Sequence, residues 1–67
     1  MTRHTQIFRI RYIGQSGTIR EIEIGALDTS EAIHAAREAR WPPKAVAFRL
    51  IDTLGREVFE QQKADLR

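Results

Sequence analysis

The chain has 67 residues, no cysteine and a formal net charge of +2, and these three properties exclude several classes of protein. A chain of this length folds around one core only, and the lack of cysteine removes disulfides and thiolate metal sites. Nine of the eleven basic residues are arginines, so the isoelectric point near 9.7 does not imply a strong positive field at neutral pH. Basic and acidic residues are interleaved, whereas nucleic-acid-binding proteins usually cluster their basic residues on one face.

The ends of the chain and its hydropathy bear on its location. No stretch approaches the length of an apolar membrane span, and residues 1–6 lack the apolar run of a signal peptide. These features predict a cytoplasmic protein with no membrane partner. We expect a single domain over residues 1–67, with frayed ends at 1–5 and 62–67.

Residues 6–13 and 18–24 predict a β-hairpin, because both segments alternate in hydropathy from one residue to the next. A three-residue loop, Gln15-Ser16-Gly17, puts glycine at the left-handed position that closes such a turn. This loop pairs Ile10 with Ile22 and Phe8 with Ile24 on one face, and Arg11 with Glu21, Arg9 with Glu23 and Ile13 with Ile19 on the other. A slip of one residue sets Ile10 against Glu21 and spoils both faces, so the sequence predicts this register with Gly17 at positive φ.

A helix is predicted next. Asp28 is a good N-cap residue, and Glu31 three positions later completes a capping-box pattern. The apolar positions at helical spacing are mostly alanine: Ala32, Ile33, Ala36 and Ala39. Such a stripe lets the helix approach a sheet closely. Pro42-Pro43 predicts a helix end near Arg40 or Trp41.

The remaining residues predict a second hairpin. A loop of Thr53-Leu54-Gly55 pairs Leu50 with Val58 and Ile51 with Glu57, which places Phe59 on the face of Arg49 and Ile51. A four-residue loop, which pairs Phe48 with Phe59, stays open as an alternative. The predicted fold class is therefore α+β: a β-β-α-β-β domain with a four-stranded, mainly antiparallel sheet and one helix on one face.

Five short peptides follow one another in these elements: Gln6-Ile7-Phe8, Asp28-Thr29-Ser30-Glu31, Pro42-Pro43, Arg49-Leu50-Ile51 and Gly55. With these peptides in this order, residues 6–57 resemble the ubiquitin-like, or β-grasp, family. The chain ends in Ala64-Asp65-Leu66-Arg67 and lacks the terminal Gly-Gly of conjugating members, so the resemblance does not imply conjugation. The family's central fifth strand fits only if residues 57–62 take its place. The resemblance implies that Ile51 stands where the family has an isoleucine used in partner binding.

No residue pattern predicts catalysis or a bound cofactor. His4 and His34 lack further ligands at a useful spacing; Glu38 one turn after His34 gives at most a pair, whereas a metal site needs three or four ligands. Ser16 and Ser30 occupy a predicted turn and a helix start, and the single glycines form no phosphate-binding loop. We expect a non-enzymatic protein with no metal and no cofactor.

The predicted sheet face away from the helix is the strongest functional feature. By strand alternation, five apolar residues share this face with the charged side chains of the strands: Ile7, Ile13, Ile19, Ile51 and Phe59. An apolar patch of this size predicts a surface that binds another protein or a second copy of the chain, unless the C-terminal tail covers it. The leading hypothesis is thus a small protein-interaction module.

Two other features leave alternatives open. Arg9, Arg11 and Arg49 could follow a phosphate backbone, which gives a weak nucleic-acid-binding accessory protein as the second hypothesis, although Glu21 and Glu23 are predicted to neutralise the first two. Trp41 fits either the lower end of the core or an exposed anchor for a partner.

Overall fold

A computed structural model describes residues 4–65 of the chain and confirms the α+β fold. The order of elements is β-β-α-β-β, as the sequence predicts. The bounds are β1 Gln6–Gly14, β2 Gly17–Ala26, α1 Thr29–Glu38, β3 Ala47–Ile51 and β4 Glu57–Gln62, followed by a 3-10 turn at Lys63–Asp65. Among these residues, no helix is long and apolar enough to cross a membrane.

The four strands form one open sheet in the order β2-β1-β3-β4, and each neighbouring pair is antiparallel. Because β2 and β3 both run antiparallel to β1, they are parallel to each other, and α1 connects them across one face of the sheet. This is a split β-α-β arrangement, in which β1 lies between the two parallel strands. The opposite face, which we call the outer face, has none of the described elements packed over it.

The first hairpin has the predicted register over most of its length. Arg9 lies opposite Glu23, Ile10 opposite Ile22, and Arg11 opposite Glu21, while Gly17 has a φ of 125°. The prediction is wrong next to the turn. A register shift after Tyr12 pairs Ile13 with Thr18 and Gly14 with Gly17, so the loop has two residues and Ile19 is the extra residue of a β-bulge.

The helix begins as predicted and ends slightly earlier. The Asp28 carboxylate accepts from the Glu31 amide at 2.8 Å, and the Glu31 carboxylate accepts in return from the Leu27 amide at 3.2 Å. Ala32 and Ala36 are fully buried against the sheet. The helix closes at Ala39, whose backbone is already extended with a ψ of 156° and whose amide donates to the Ala35 carbonyl oxygen.

The second hairpin contains another β-bulge, and neither predicted register describes all of it. Ile51 lies opposite Glu57 as the three-residue loop requires, but Leu50 lies opposite Phe59 and Phe48 opposite Gln61. The shift falls between Leu50 and Ile51, which makes Val58 the extra residue. Strand β4 extends to Gln62, and a 3-10 turn follows at Lys63–Asp65. Of the two ends predicted to fray, 1–5 and 62–67, residues 1–3 and 66–67 lie outside the described residues.

The core lies between α1 and the helix side of the sheet. Its largest fully buried side chains are Tyr12, Phe8, Phe48, Ile10 and Leu50. Trp41 packs onto this cluster, with ring centroids 5.5 Å from Tyr12 and 5.4 Å from Phe48. Of the two alternatives for Trp41, the structure therefore shows the core position. The aromatic cluster supplies bulk that the alanine-rich helix lacks.

Candidate partner-binding site

Strand alternation keeps three of the five predicted apolar residues on the outer face. Ile7 and Ile13 share the phase of Arg9 and Arg11, and Ile51 is the cross-strand partner of Arg9. These three do not form a continuous patch. Ile13 lies at the end of β1 next to the first hairpin turn, whereas Ile7 and Ile51 lie at the opposite end, with the arginines between them.

The first β-bulge removes Ile19 from the outer face, which corrects the prediction. Gly14 shares the phase of the buried residues of β1, so its missing Cβ would point to the helix side of the sheet. A Cβ built there meets Ile19 Cδ1 at 2.6 Å, so the Ile19 side chain lies over Gly14 on the helix side. Ile19 remains 42% exposed there and, with residues 43–46, lines a cavity beside the first hairpin turn.

The second β-bulge has the same effect on Phe59. Because Phe59 lies opposite the buried Leu50, it faces the helix and not the outer surface, contrary to the prediction. Its ring lies 6.0 Å from that of Phe48, and the Arg37 guanidinium stacks over it at 5.6 Å. Arg37 also donates to Gln61 Oε1 at 2.9 Å, which closes the core beneath β4. Phe59 is a part of the core boundary.

At the other end of the outer face, two apolar side chains are exposed beside a buried one. Ile51 is only 7% exposed, whereas Ile7 is 51% exposed and Leu54, in the loop after β3, is 73% exposed. Together they line a cavity of about 410 Å³, which we call the corner cavity. Its lining residues are Ile7, Arg9, Glu23, Ile51, Asp52, Thr53, Leu54 and Gly55. The cavity thus combines apolar walls with charged groups on one side.

The loop that presents Leu54 is organised by one carboxylate. Asp52 Oδ1 accepts from the amides of Leu54 and Arg56, each at 2.9 Å, and Oδ2 pairs with the Arg56 guanidinium at 3.0 Å. Gly55 completes the turn with a φ of 81°. The Arg56 amide, followed by the other donors, holds the pKa of Asp52 below its usual range. Leu54 is therefore exposed on a well-constrained loop.

The three arginines of the second hypothesis lie together on the outer face, and each has a glutamate partner. Arg11 pairs with Glu21 at 2.9 Å, and Arg49 pairs with Glu60 at 3.1 Å. Further contacts join Arg49 to Glu57 at 3.3 Å, Arg9 to Glu21 at 3.8 Å and Arg9 to Glu23 at 3.9 Å. Four glutamates thus surround three arginines, which leaves the charged centre of the face with a small negative excess.

The described part of the chain contains no candidate metal site. No cluster of three or more histidines and carboxylates that could hold a metal ion occurs within residues 4–65.

Comparisons of the chain with protein-family models, with curated proteins and with solved structures found no match. The resemblance to ubiquitin-like proteins, and the role that it implies for Ile51, therefore stay predictions.

Sequence reasoning missed Leu54, the most exposed of the large apolar side chains in the described part of the chain. A signal was present in the sequence. Turn positions are normally occupied by glycine, proline and small polar residues, so the side chain of a leucine between Thr53 and Gly55 is not needed to close the loop. Its exposure gives it one feature of a binding residue.

Proposed function

We propose that the chain is a small, non-enzymatic protein-interaction module that binds another protein at the corner cavity. The observation that carries the proposal is the exposure of Ile7 and Leu54 beside the buried floor residue Ile51. Exposed apolar side chains around a concave site are typical of places where a partner inserts an apolar anchor. Arg9 and Glu23 at the border offer charged groups that would orient such a partner.

A partner other than a second copy of the chain fits the charges of the outer face better. If two outer faces stacked centre to centre, Arg9, Arg11 and Arg49 of one copy would face the same residues of the other. Such juxtaposition of like charges is unfavourable and suppresses this mode of association. Self-association remains one outcome of the test below.

The second hypothesis, nucleic-acid binding, receives less support from the geometry. A phosphate backbone would have to displace the glutamates that contact all three arginines. The negative excess at the centre of the outer face also gives this region no local attraction for phosphates.

The test is a comparison of matched surface variants. Ile7→Ser with Leu54→Ser removes the apolar walls of the corner cavity, while Ile19→Ser changes an apolar residue of similar exposure in the other cavity. Cross-linking followed by affinity capture should recover a protein that wild type and the Ile19 variant bind and the double variant does not. Circular dichroism confirms that all three fold.

Three results would contradict the proposal. One is equal capture of the same protein by the double variant and by wild type. Another is a concentration-dependent dimer in sedimentation that the double variant abolishes, which would identify a second copy as the partner. The third is salt-sensitive binding of single-stranded DNA that Arg9→Gln with Arg11→Gln removes, which would favour the second hypothesis.

A further inference from the structure

The two edges of the sheet differ in how well they are protected from pairing with another strand. Strand β4 has six residues, contains the bulge at Val58 and leads directly into a 3-10 turn. All three features hinder the pairing of an edge strand with another strand. Strand β2 has ten residues, and its bulge lies near the hairpin turn. Residues 20–26 therefore form a regular edge, and within the described chain only β1 pairs with β2.

The outer face of β2 disfavours three of the registers in which a second copy of the strand could pair with it. Residues directly opposite in an antiparallel pair share a face. Two-fold axes through Glu21 or Glu23 set that glutamate against its own copy, and an axis through Ile22 sets Glu21 against Glu23. Like charges directly opposite each other are destabilising. The remaining edge, β4, carries Glu57 and Glu60 on this face, so a mixed pairing also brings acidic side chains together.

The same edge is complementary to a strand with basic side chains on its outer face. Glu23 is 66% exposed, and its contact with Arg9 is a long one of 3.9 Å, so it can accept a second cation. On the helix side, Ile22 and Ile24 are half-buried at the border of the core. Apolar side chains of an added strand would cover their exposed parts.

We propose that the β2 edge binds an extended segment of a partner protein, with lysine or arginine at alternate positions and apolar residues between them, as a fifth strand of the sheet. Main-chain hydrogen bonds supply affinity in such strand addition, and the alternating side chains supply specificity. The basic residues lie beside Glu21 and Glu23 on the outer face, and the apolar residues pack beside Ile22 and Ile24 on the helix side. The proposal rests on the chain being an interaction module, but it uses a different surface from the corner cavity.

The experiment measures binding of short, acetylated and amidated peptides by fluorescence anisotropy and by shifts of backbone amide signals in NMR spectra. The first peptide alternates lysine and valine, the second replaces lysine by glutamate, and the third carries N-methyl groups on the backbone amides of the first. We expect the lysine peptide alone to bind, with shifts concentrated in residues 20–26.

Charge-reversal variants locate the site. Glu23→Lys should weaken binding of the lysine peptide about fivefold or more and should permit binding of the glutamate peptide. Glu60→Lys on β4 is the matched control and should leave the affinity for the lysine peptide within about twofold. The variant Ile7→Ser with Leu54→Ser should bind the lysine peptide as wild type does, which separates a failure of this proposal from a failure of the corner cavity.

Three results would overturn the proposal. One is a failure of the lysine peptide to bind wild type at millimolar concentration. A second is equal binding of the N-methylated peptide, because that would show attraction between charges without strand addition. A third is an equal loss in the Glu60 variant, or shifts concentrated in β4, which would place the peptide on the opposite edge.

Discussion

Arg11 and Arg49 are cross-strand neighbours at the centre of the outer face, and each is held by a glutamate from an edge strand. Reading across the sheet from β2 to β4, one row contains Glu21, Arg11, Arg49 and Glu60. Two arginines directly opposite each other repel. The flanking glutamates offset this repulsion and explain how the sheet tolerates adjacent cations without a covering layer.

The first prediction concerns this row. Glu21→Gln with Glu60→Gln should lower the free energy of unfolding by about 1 kcal/mol, because both arginines lose their nearest counter-charge and all four side chains are partly exposed. The loss should shrink as ionic strength rises. Urea denaturation at low and high salt measures both effects. Glu38→Gln on the helix is the control, and a similar salt-dependent loss in that variant would show that the row has no special role.

The second prediction concerns Tyr12, which is 1% exposed and whose hydroxyl oxygen has no hydrogen-bond partner among residues 4–65. A buried polar group without a partner is destabilising. Tyr12→Phe should therefore raise the free energy of unfolding by about 1 kcal/mol at neutral pH. Urea denaturation provides the measurement, and a clear loss of stability in the variant would indicate that the hydroxyl has a favourable partner.

The pH dependence of Tyr12 gives a separate test. Burial raises the pKa of Tyr12, and the charge of Arg20 partly opposes this shift. A folded-state pKa above the unfolded value means that this contribution to stability is present below about pH 10 and is lost as the pH rises through the folded pKa. Wild type should therefore lose stability relative to Tyr12→Phe at alkaline pH. A constant difference between the two proteins from neutral to alkaline pH would contradict this.

The sequence was sufficient to predict the order of elements, the helix start and most of the first register, because alternation and capping are local signals. It was insufficient at Ile19 and Val58. A β-bulge adds one residue that resembles any other strand residue, yet it reverses the face of the side chains beyond it. This is why Phe59 was assigned to the wrong face. The burial of Ile51 was also missed, because strand alternation predicts which face a side chain lies on and not how far neighbouring residues cover it.

The third prediction concerns that loop. The lowered pKa of Asp52 means that its contribution to stability is present above the unfolded pKa of about 3.9 and is lost as the pH falls through the folded value. Asp52→Asn should be less stable than wild type at neutral pH, and the difference should disappear in acid. Denaturation at several pH values measures this, with Glu38→Gln as the control for loss of one negative charge. A difference that persists unchanged in acid would show that the charge of Asp52 is not the cause.

The last prediction tests the position of the first bulge. Gly14→Ala places a Cβ 2.6 Å from Ile19 Cδ1 and 3.1 Å from the Lys44 carbonyl oxygen, so we expect a loss of about 1–3 kcal/mol in the free energy of unfolding. Ile19→Ala in the same chain removes the first contact and should recover about 1 kcal/mol in a double-mutant cycle. Gly55→Ala is the control, because its φ of 81° makes alanine strained although, apart from the adjacent residues, no atom of the described chain lies within 4 Å of the new Cβ. Its effect should add to that of Ile19→Ala without coupling. If Gly14→Ala and Ile19→Ala were additive as well, Ile19 would not lie over Gly14, and the assignment of Ile19 to the helix side of the sheet would be wrong.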